Sequence, residues 1–221
     1  MKKIGVYAAM FGYYDDSPRA TFPTTLFTDQ NVNPPGWNVV NVKAPCRDNS
    51  YSSRYYFNQS CLVMPDYEFT IMHSSAAHIT ASPERFLELL PNGIDIACWK
   101  HPHRENVYQE ADACIRFGKD KPEIINAQME RYRAEGFPES VVLSACILLV
   151  RRNTPELREF ETFWWNEVKN GSCRDQLSFD YTRWKLGIPI ARIPGDPYLR
   201  SDLFKVKSHL SRKKSEKTIA P

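Results

Sequence analysis

At 221 residues, 42% hydrophobic and 25% charged, the chain has the composition of one soluble globular domain with a substantial core. No window approaches the roughly 20 apolar residues a membrane-spanning helix needs, and Met1-Lys2-Lys3 leads into too short an apolar run for a signal peptide. The formal charge of +3 belongs to the tail: six Lys/Arg and one acid from Lys205 onward leave residues 1–204 at −2, which removes the electrostatic basis for nucleic-acid binding by the body.

In chain order, "KIGVYAAMF" is β-branched and apolar and predicts a first strand ending near Met10, before Gly12 and the turn-like "YYDDSP". "WNVVNV", after the breaker "NPPG", predicts a second strand. "SSRYYFNQSCLVM" reads as a short helix and "YEFTIMH" as a third strand. "SPERFLELL" reads as a helix with Ser82 as N-cap and Pro83 at its first position. "IDIACW" is a fourth strand. The helices "RENVYQEADACIRF", starting at about Arg104, and "KPEIINAQMERYRAEG", stopped by Gly136, follow it. "LSACILLVR" is a fully apolar strand suited to the centre of a sheet. Next come the helices "TPELREFETFWWNEVKNG", capped by Thr154, and "DQLSFDYTRWKLG", stopped by Gly187, and a last strand, "IPIARI".

Strands alternating with helices predict an α/β layered fold around a mainly parallel sheet, with ligands at the carboxyl ends of its strands. No internal repeat and no second domain is visible. The tail "SRKKSEKTIAP" is poor in apolar residues and reads as disordered or as a linker. Six scattered cysteines without a CxxC pair read as reduced thiols, which favours a cytoplasm-like compartment.

GxGxxG, P-loop, GxSxG and HExxH signatures are all absent. Chemistry-bearing residues cluster instead at predicted strand ends. "YAAMFGYYDD" runs a strand into glycine and acids, as a nucleotide loop or a surface turn does. "CWKHPHREN" places Lys100, His101, His103 and Arg104 beside a helix start, an arrangement suited to phosphate. A zinc reading of Cys98, His101 and His103 lacks a second ligand pair, and Cys98 should face the core. In "GSCRDQLSF", Asp175 sits at a helix start, where an acid is favoured whether or not it has a further role. Trp164 and Trp165 read as core, or as a rim that stacks on a sugar. Arg54, among tyrosines, either binds pyrophosphate or packs its stem.

Together, "SSRYYFN", "EFTIMHSSAAHI", "KHPHRENVYQEADAC", "AQMERYRAEGFP", "TPELREFETFWWNEV" and "RDQLSFDYTRWKLG" resemble a glycosyltransferase-like family of type A fold. That family includes plant mucilage-related members and a chlorella-virus-encoded transferase, to whose N-terminal domain the similarity is nearest. The resemblance covers about residues 1–204 and implies one nucleotide-sugar-binding domain, with 205–221 as a basic appendage and further C-terminal domains in a longer protein. It implies a UDP-sugar donor, Mn2+ or Mg2+, hexosyl transfer to an oligosaccharide or glycoprotein acceptor, and, by the viral relative, capsid glycan synthesis in a host cytoplasm.

By the same resemblance, Asp175 is the catalytic carboxylate. Tyr7, Ala8, Arg54, Ser74, Ser75, His103, Arg104 and Gln176 line the donor site. The family's acidic dyad falls on "HSSAAHI", which has no carboxylate, and serine hydroxyls are poor ligands for a hard dication. His78, or His73, with the late His209 is then the expected metal set. The rival readings are a non-catalytic nucleotide- or glycan-binding module derived from a transferase, and a metal-dependent phosphoesterase. Carboxylates are too scattered for the two-metal site of the latter.

Overall fold

The computed structural model describes residues 2–12, 20–46, 48–198 and 202–207. Its strands are β1 (Ile4–Met10), β2 (Thr24–Thr28), β3 (Trp37–Asn41), β4 (Phe69–His73), β5 (Ala77–Ile79), β6 (Ile96–Lys100), β7 (Ser144–Arg152), β8 (Ala191–Ile193) and β9 (Phe204–Val206). Its helices are α1 (Asn49–Asn58), α2 (Ser60–Val63), α3 (Pro83–Leu87), α4 (Val107–Arg116), α5 (Pro122–Ala134), α6 (Pro155–Asn170) and α7 (Gln176–Leu186).

Seven strands form one sheet in the order β3-β2-β1-β4-β7-β6-β8, and β5 pairs with β9 in a separate ladder. Within the large sheet β7 alone runs against its neighbours. This is the α/β architecture expected, with a mainly parallel mixed sheet. The apolar run "LSACILLVR" becomes an interior strand, as its lack of a polar face requires.

Both faces of the sheet are covered. On one, Tyr7, Ala9, Phe27, Met72, Cys98 and Leu149 pack under α1, α6 and α7 through Tyr56, Phe57, Phe160, Trp164 and Phe179. On the other, Val6, Ile71, Trp99 and Val150 meet Ile79, Phe86 and Phe204. Helices α4, α5 and α7 share a third apolar cluster around Tyr108, Met129, Tyr132 and Tyr181.

Local chemistry explains most helix ends. Asp48, Asn106 and Thr154 each accept backbone N–H bonds at the starts of α1, α4 and α6. Gly187 closes α7 at φ 67°, a left-handed backbone that disfavours other residues. Ser82 precedes α3, but its side chain makes no cap bond.

Three features depart from the sequence reading. The five residues "TTLFT" form β2 because β1 and β3 flank them on both sides, which a run this short does not announce. The single helix expected at "SSRYYFNQSCLVM" breaks at Gln59, whose backbone is non-helical, so that Ser60 and Cys61 open a new turn. Finally, β9 straddles the expected boundary at 204/205: Phe204 packs edge-on against Trp99 at 5.3 Å, and Lys205 pairs with His78. The segment "YYDDSP" and His209 lie outside the described residues. No helix among those residues is long and apolar enough to cross a membrane.

Arg151 and Glu161 form a buried ion pair, with Arg151 Nη1 donating to Glu161 Oε1 at 2.8 Å. Removing one partner strands the other charge, so Arg151→Met should lower folding stability by about 3–5 kcal/mol, seen as a lower urea midpoint. The double variant Arg151→Met/Glu161→Leu should recover part of that loss.

Candidate functional site at the carboxyl edge of the sheet

The carboxyl ends of β1, β4 and β6 and the start of β7 share one edge of the sheet. Asp175 reaches that edge from the junction of α6 and α7, and the junction is tied down residue by residue. The Tyr51 hydroxyl donates to the Gly171 carbonyl at 2.8 Å. The Ser172 amide donates to Gln128 Oε1, and the Ser172 hydroxyl and Cys173 amide both donate to Asp120 Oδ2 at 2.7 and 2.9 Å. Those bonds hold the Asp120 carboxyl below its ordinary range, against the opposing pull of burial. Trp164 Nε1 donates to the Asp175 carbonyl at 2.9 Å, so this tryptophan is a core residue that positions Asp175 and does not face a sugar. Its neighbour Trp165 packs edge-on against Tyr55.

The Asp175 carboxylate is buried, and Oδ1 accepts the Gln176 amide at 3.1 Å. Arg54, stretched over the Phe57 ring, brings Nε to 3.3 Å from Oδ1, an ion pair without a well-directed hydrogen bond. Asp175 Oδ2, Arg54 Nε and Arg174 Nε are all buried without a hydrogen-bond partner. Native interiors pair almost every such atom, so three orphans on two adjacent residues and their neighbour mark a place built for something else. Cys146, on β7, lies next to this group. Burial, followed by the Asp175 and Asp180 charges, pushes its thiol well above the ordinary range and keeps it protonated.

The Gln176 side chain is spent on the scaffold, with Nε2 donating to the Ser144 carbonyl at 2.8 Å. Asp180, one turn further along α7, accepts from the Ser144 amide and hydroxyl and from Arg183. These bonds lock the start of β7 to α7.

The "KHPHR" loop is more self-contained than its sequence suggests. Lys100 pairs with Glu105 and Arg104 with Glu110. His101 is buried and its Nδ1 accepts the His103 and Arg104 amides, which makes it the organiser of the turn. His103 is exposed. Helix α4 starts at Val107 behind an Asn106 cap, three residues later than expected. Cys98 faces the core, as expected, and the zinc reading finds no ligand cluster among the described residues.

Two of the expected donor residues sit elsewhere. Tyr7 and Ala8 are fully buried within β1, and the Tyr7 hydroxyl is held by Arg151 and the Tyr56 carbonyl. Their side chains belong to the core, not to the edge. Ser74 and Ser75 follow β4 directly and are half-buried, with the Ser74 amide bonded to the Ile147 carbonyl beside Cys146.

Of the expected metal ligands, His209 lies outside the described residues. His78 sits in β5 with Nε2 3.2 Å from the Thr21 hydroxyl. Burial and then Lys207 and Lys205 lower its pKa, so its surroundings are cationic. Among the described residues no three His, Cys, Asp or Glu side chains stand where they could hold a cation. The described side chains at this edge do not by themselves fit a divalent metal.

The model of the TOD1/MUCI70 glycosyltransferase-like domain matches residues 9–209. The chain belongs to this family. A TOD1/MUCI70 relative, the probable hexosyltransferase MUCI70 of Arabidopsis thaliana, is 29% identical over 135 residues. The alignment spans 56% of this chain and 23% of that protein. The fold is similar to that of mouse xyloside xylosyltransferase 1 in its apo form, with a TM-score of 0.50 and 8% identity over 86% of this chain and 84% of that one. The TOD1/MUCI70 match takes in Arg54, the β4 end, Cys146 and Asp175, and begins just after Tyr7 and Ala8. The sequence alone does not single out Arg174 or Cys146. The only available signals were an Arg-Asp dipeptide and a cysteine near the start of an apolar strand.

His73 is buried, with Nδ1 3.0 Å from the Ser74 carbonyl, and burial lowers its pKa to about 4. Burial, then the Arg104 charge, does the same for His101. Both rings are neutral in the fold at pH 7, whereas unfolded histidine binds a proton near pH 6.5. Unfolding therefore takes up protons between about pH 6.5 and 4, and stability should fall as pH drops through that window. His73→Gln should flatten the decline in urea midpoint between pH 7 and 4.5.

Proposed function

We propose that the chain transfers a sugar, of hexosyl type, from a UDP-sugar donor to a glycan acceptor at the carboxyl edge of the sheet. The observation that carries this reading is the buried Asp175 carboxylate, with Oδ2 unpartnered, facing Arg54 at 3.3 Å. Family membership and the likeness of fold support it.

Glycosyl transfer breaks the bond from the anomeric carbon to the donor phosphate oxygen and makes one from that carbon to the acceptor oxygen. The acceptor hydroxyl loses its proton on the way. In an inverting reaction Asp175 Oδ2 takes that proton. In a retaining one the same oxygen stabilises or attacks the anomeric centre. Either role needs a carboxylate rigid enough to keep its position, and the Trp164, Gln176 and Asp120 contacts supply that rigidity. Arg54 pairs with Asp175 and holds it in place. Ser74 and Ser75 leave room beside it for the donor.

The test is a UDP-sugar turnover screen across several donors, with calorimetry of UDP binding alongside. Asp175→Asn should cut turnover by about 100- to 10,000-fold while UDP still binds. Unchanged turnover in that variant removes Asp175 from the reaction.

A second reading, a nucleotide- or glycan-binding module without catalysis, is favoured by one observation: β4 ends in His73, Ser74 and Ser75 with no carboxylate. It expects UDP or glycan binding with no turnover of any donor, in the unsubstituted chain and in Asp175→Asn alike.

A further inference from the structure

The edge that lacks a metal-ligand cluster among the described residues carries more guanidinium groups than carboxylates. Arg54 faces Asp175 alone. Arg174 lies chiefly under the influence of Asp175 and then of Glu110, the acid that pairs with Arg104. Arg183 and Arg192 share Asp180. Counting Asp120 at the junction, five guanidinium groups thus stand against four carboxylates around the start of α7.

Arg54 is the group placed to use that surplus. Its side chain is 21% exposed, whereas that of Asp175 is 5% exposed, so it spans from the buried carboxylate to the open edge. Its terminal nitrogens make no hydrogen bond to any described residue, and its Nε is buried without one. A planar fork held at one end by a carboxylate and free at the other matches the geometry of phosphate oxygens.

We infer that Arg54, backed by the Arg174 charge, binds the donor's diphosphate directly, so that this chain holds a nucleoside diphosphate without a divalent cation. The inference rests on the transfer reading above, because the ligand is the donor's leaving half. The charge that a dication would supply at the end of β4 comes instead from α1 and from the loop before α7. The serines and alanines after β4 then serve only as space.

Calorimetry of the full chain with UDP and UMP, in EDTA and in Mn2+, tests this. UDP affinity should agree within about twofold between the two buffers, with UMP at least about tenfold weaker. Arg54→Gln should weaken UDP by about tenfold or more and leave UMP unchanged. Where circular dichroism shows Arg54→Gln unfolded, Arg54→Lys keeps a charge opposite Asp175 and should show the same selective loss at smaller amplitude. UDP binding that requires Mn2+, or that is indifferent to Arg54 substitution, overturns the inference and leaves the transfer reading standing. No binding of UDP in either buffer overturns both.

Discussion

The buried pair of Arg151 and Glu161 is the contact on which the arrangement of layers depends. Arg151 stands on the interior strand β7 and is fully buried. From there its guanidinium donates to Glu161 on α6, to the Phe57 carbonyl on α1 and to the Tyr7 hydroxyl on β1. Glu161 in turn accepts the Ser60 hydroxyl and the Cys61 amide at 2.5 and 2.8 Å. One ion pair thereby joins two strands and three helices. Two ions in an apolar interior are costly unless every lone pair and proton is matched, so the surrounding chain has little freedom to shift. The break at Gln59 follows from this, because a continuous helix would keep the Cys61 amide for its own ladder.

The site inherits its geometry from that constraint. Helix α1 carries Arg54 one turn before Phe57, and α6 carries Trp164 one turn after Glu161. Fixing Phe57 and Glu161 to the same guanidinium sets α1 and α6 against each other, and Arg54 and Trp164 then both converge on Asp175. The unpartnered atoms at Asp175, Arg54 and Arg174 are tolerated because the anchors around them are saturated. Arg151 Nε is itself buried without a partner, so the pairing is densest at the anchors of the junction and not uniform through the centre.

Much of this was legible in the chain. The apolar run of β7, the Thr154-Pro155 start of α6 and the Gly187 stop of α7 announce themselves through local chemistry. The placement of Asp175 at a helix start was legible too. What was not legible depends on partners distant in sequence. "TTLFT" becomes a strand only between two others, and Lys205 and Val206 belong to a strand only because Ala77 and His78 offer a ladder. The "KHPHR" loop looked like a cluster of free donors, yet Glu105 and Glu110 lie just downstream and neutralise two of them. The family resemblance assigns Tyr7 to the donor site, but Arg151 holds its hydroxyl from 144 residues away. Charge counted along the chain says little about charge left over after folding.

That distinction bears on the small residues after β4. Residues 1–204 sum to −2, so the body as a whole repels a diphosphate weakly. The edge around Cys146 is nevertheless cationic, because its arginines outnumber the acids they share. Local excess, not net charge, decides what binds at a partly buried site, since screening there is weaker than in bulk water. A carboxylate pair added at Ser74 and Ala76 without a cation would cancel the surplus and expel an anion. On the proposed reading, the absence of acids at the end of β4 and the arginines opposite act together, since acids there would offset the charge the arginines supply.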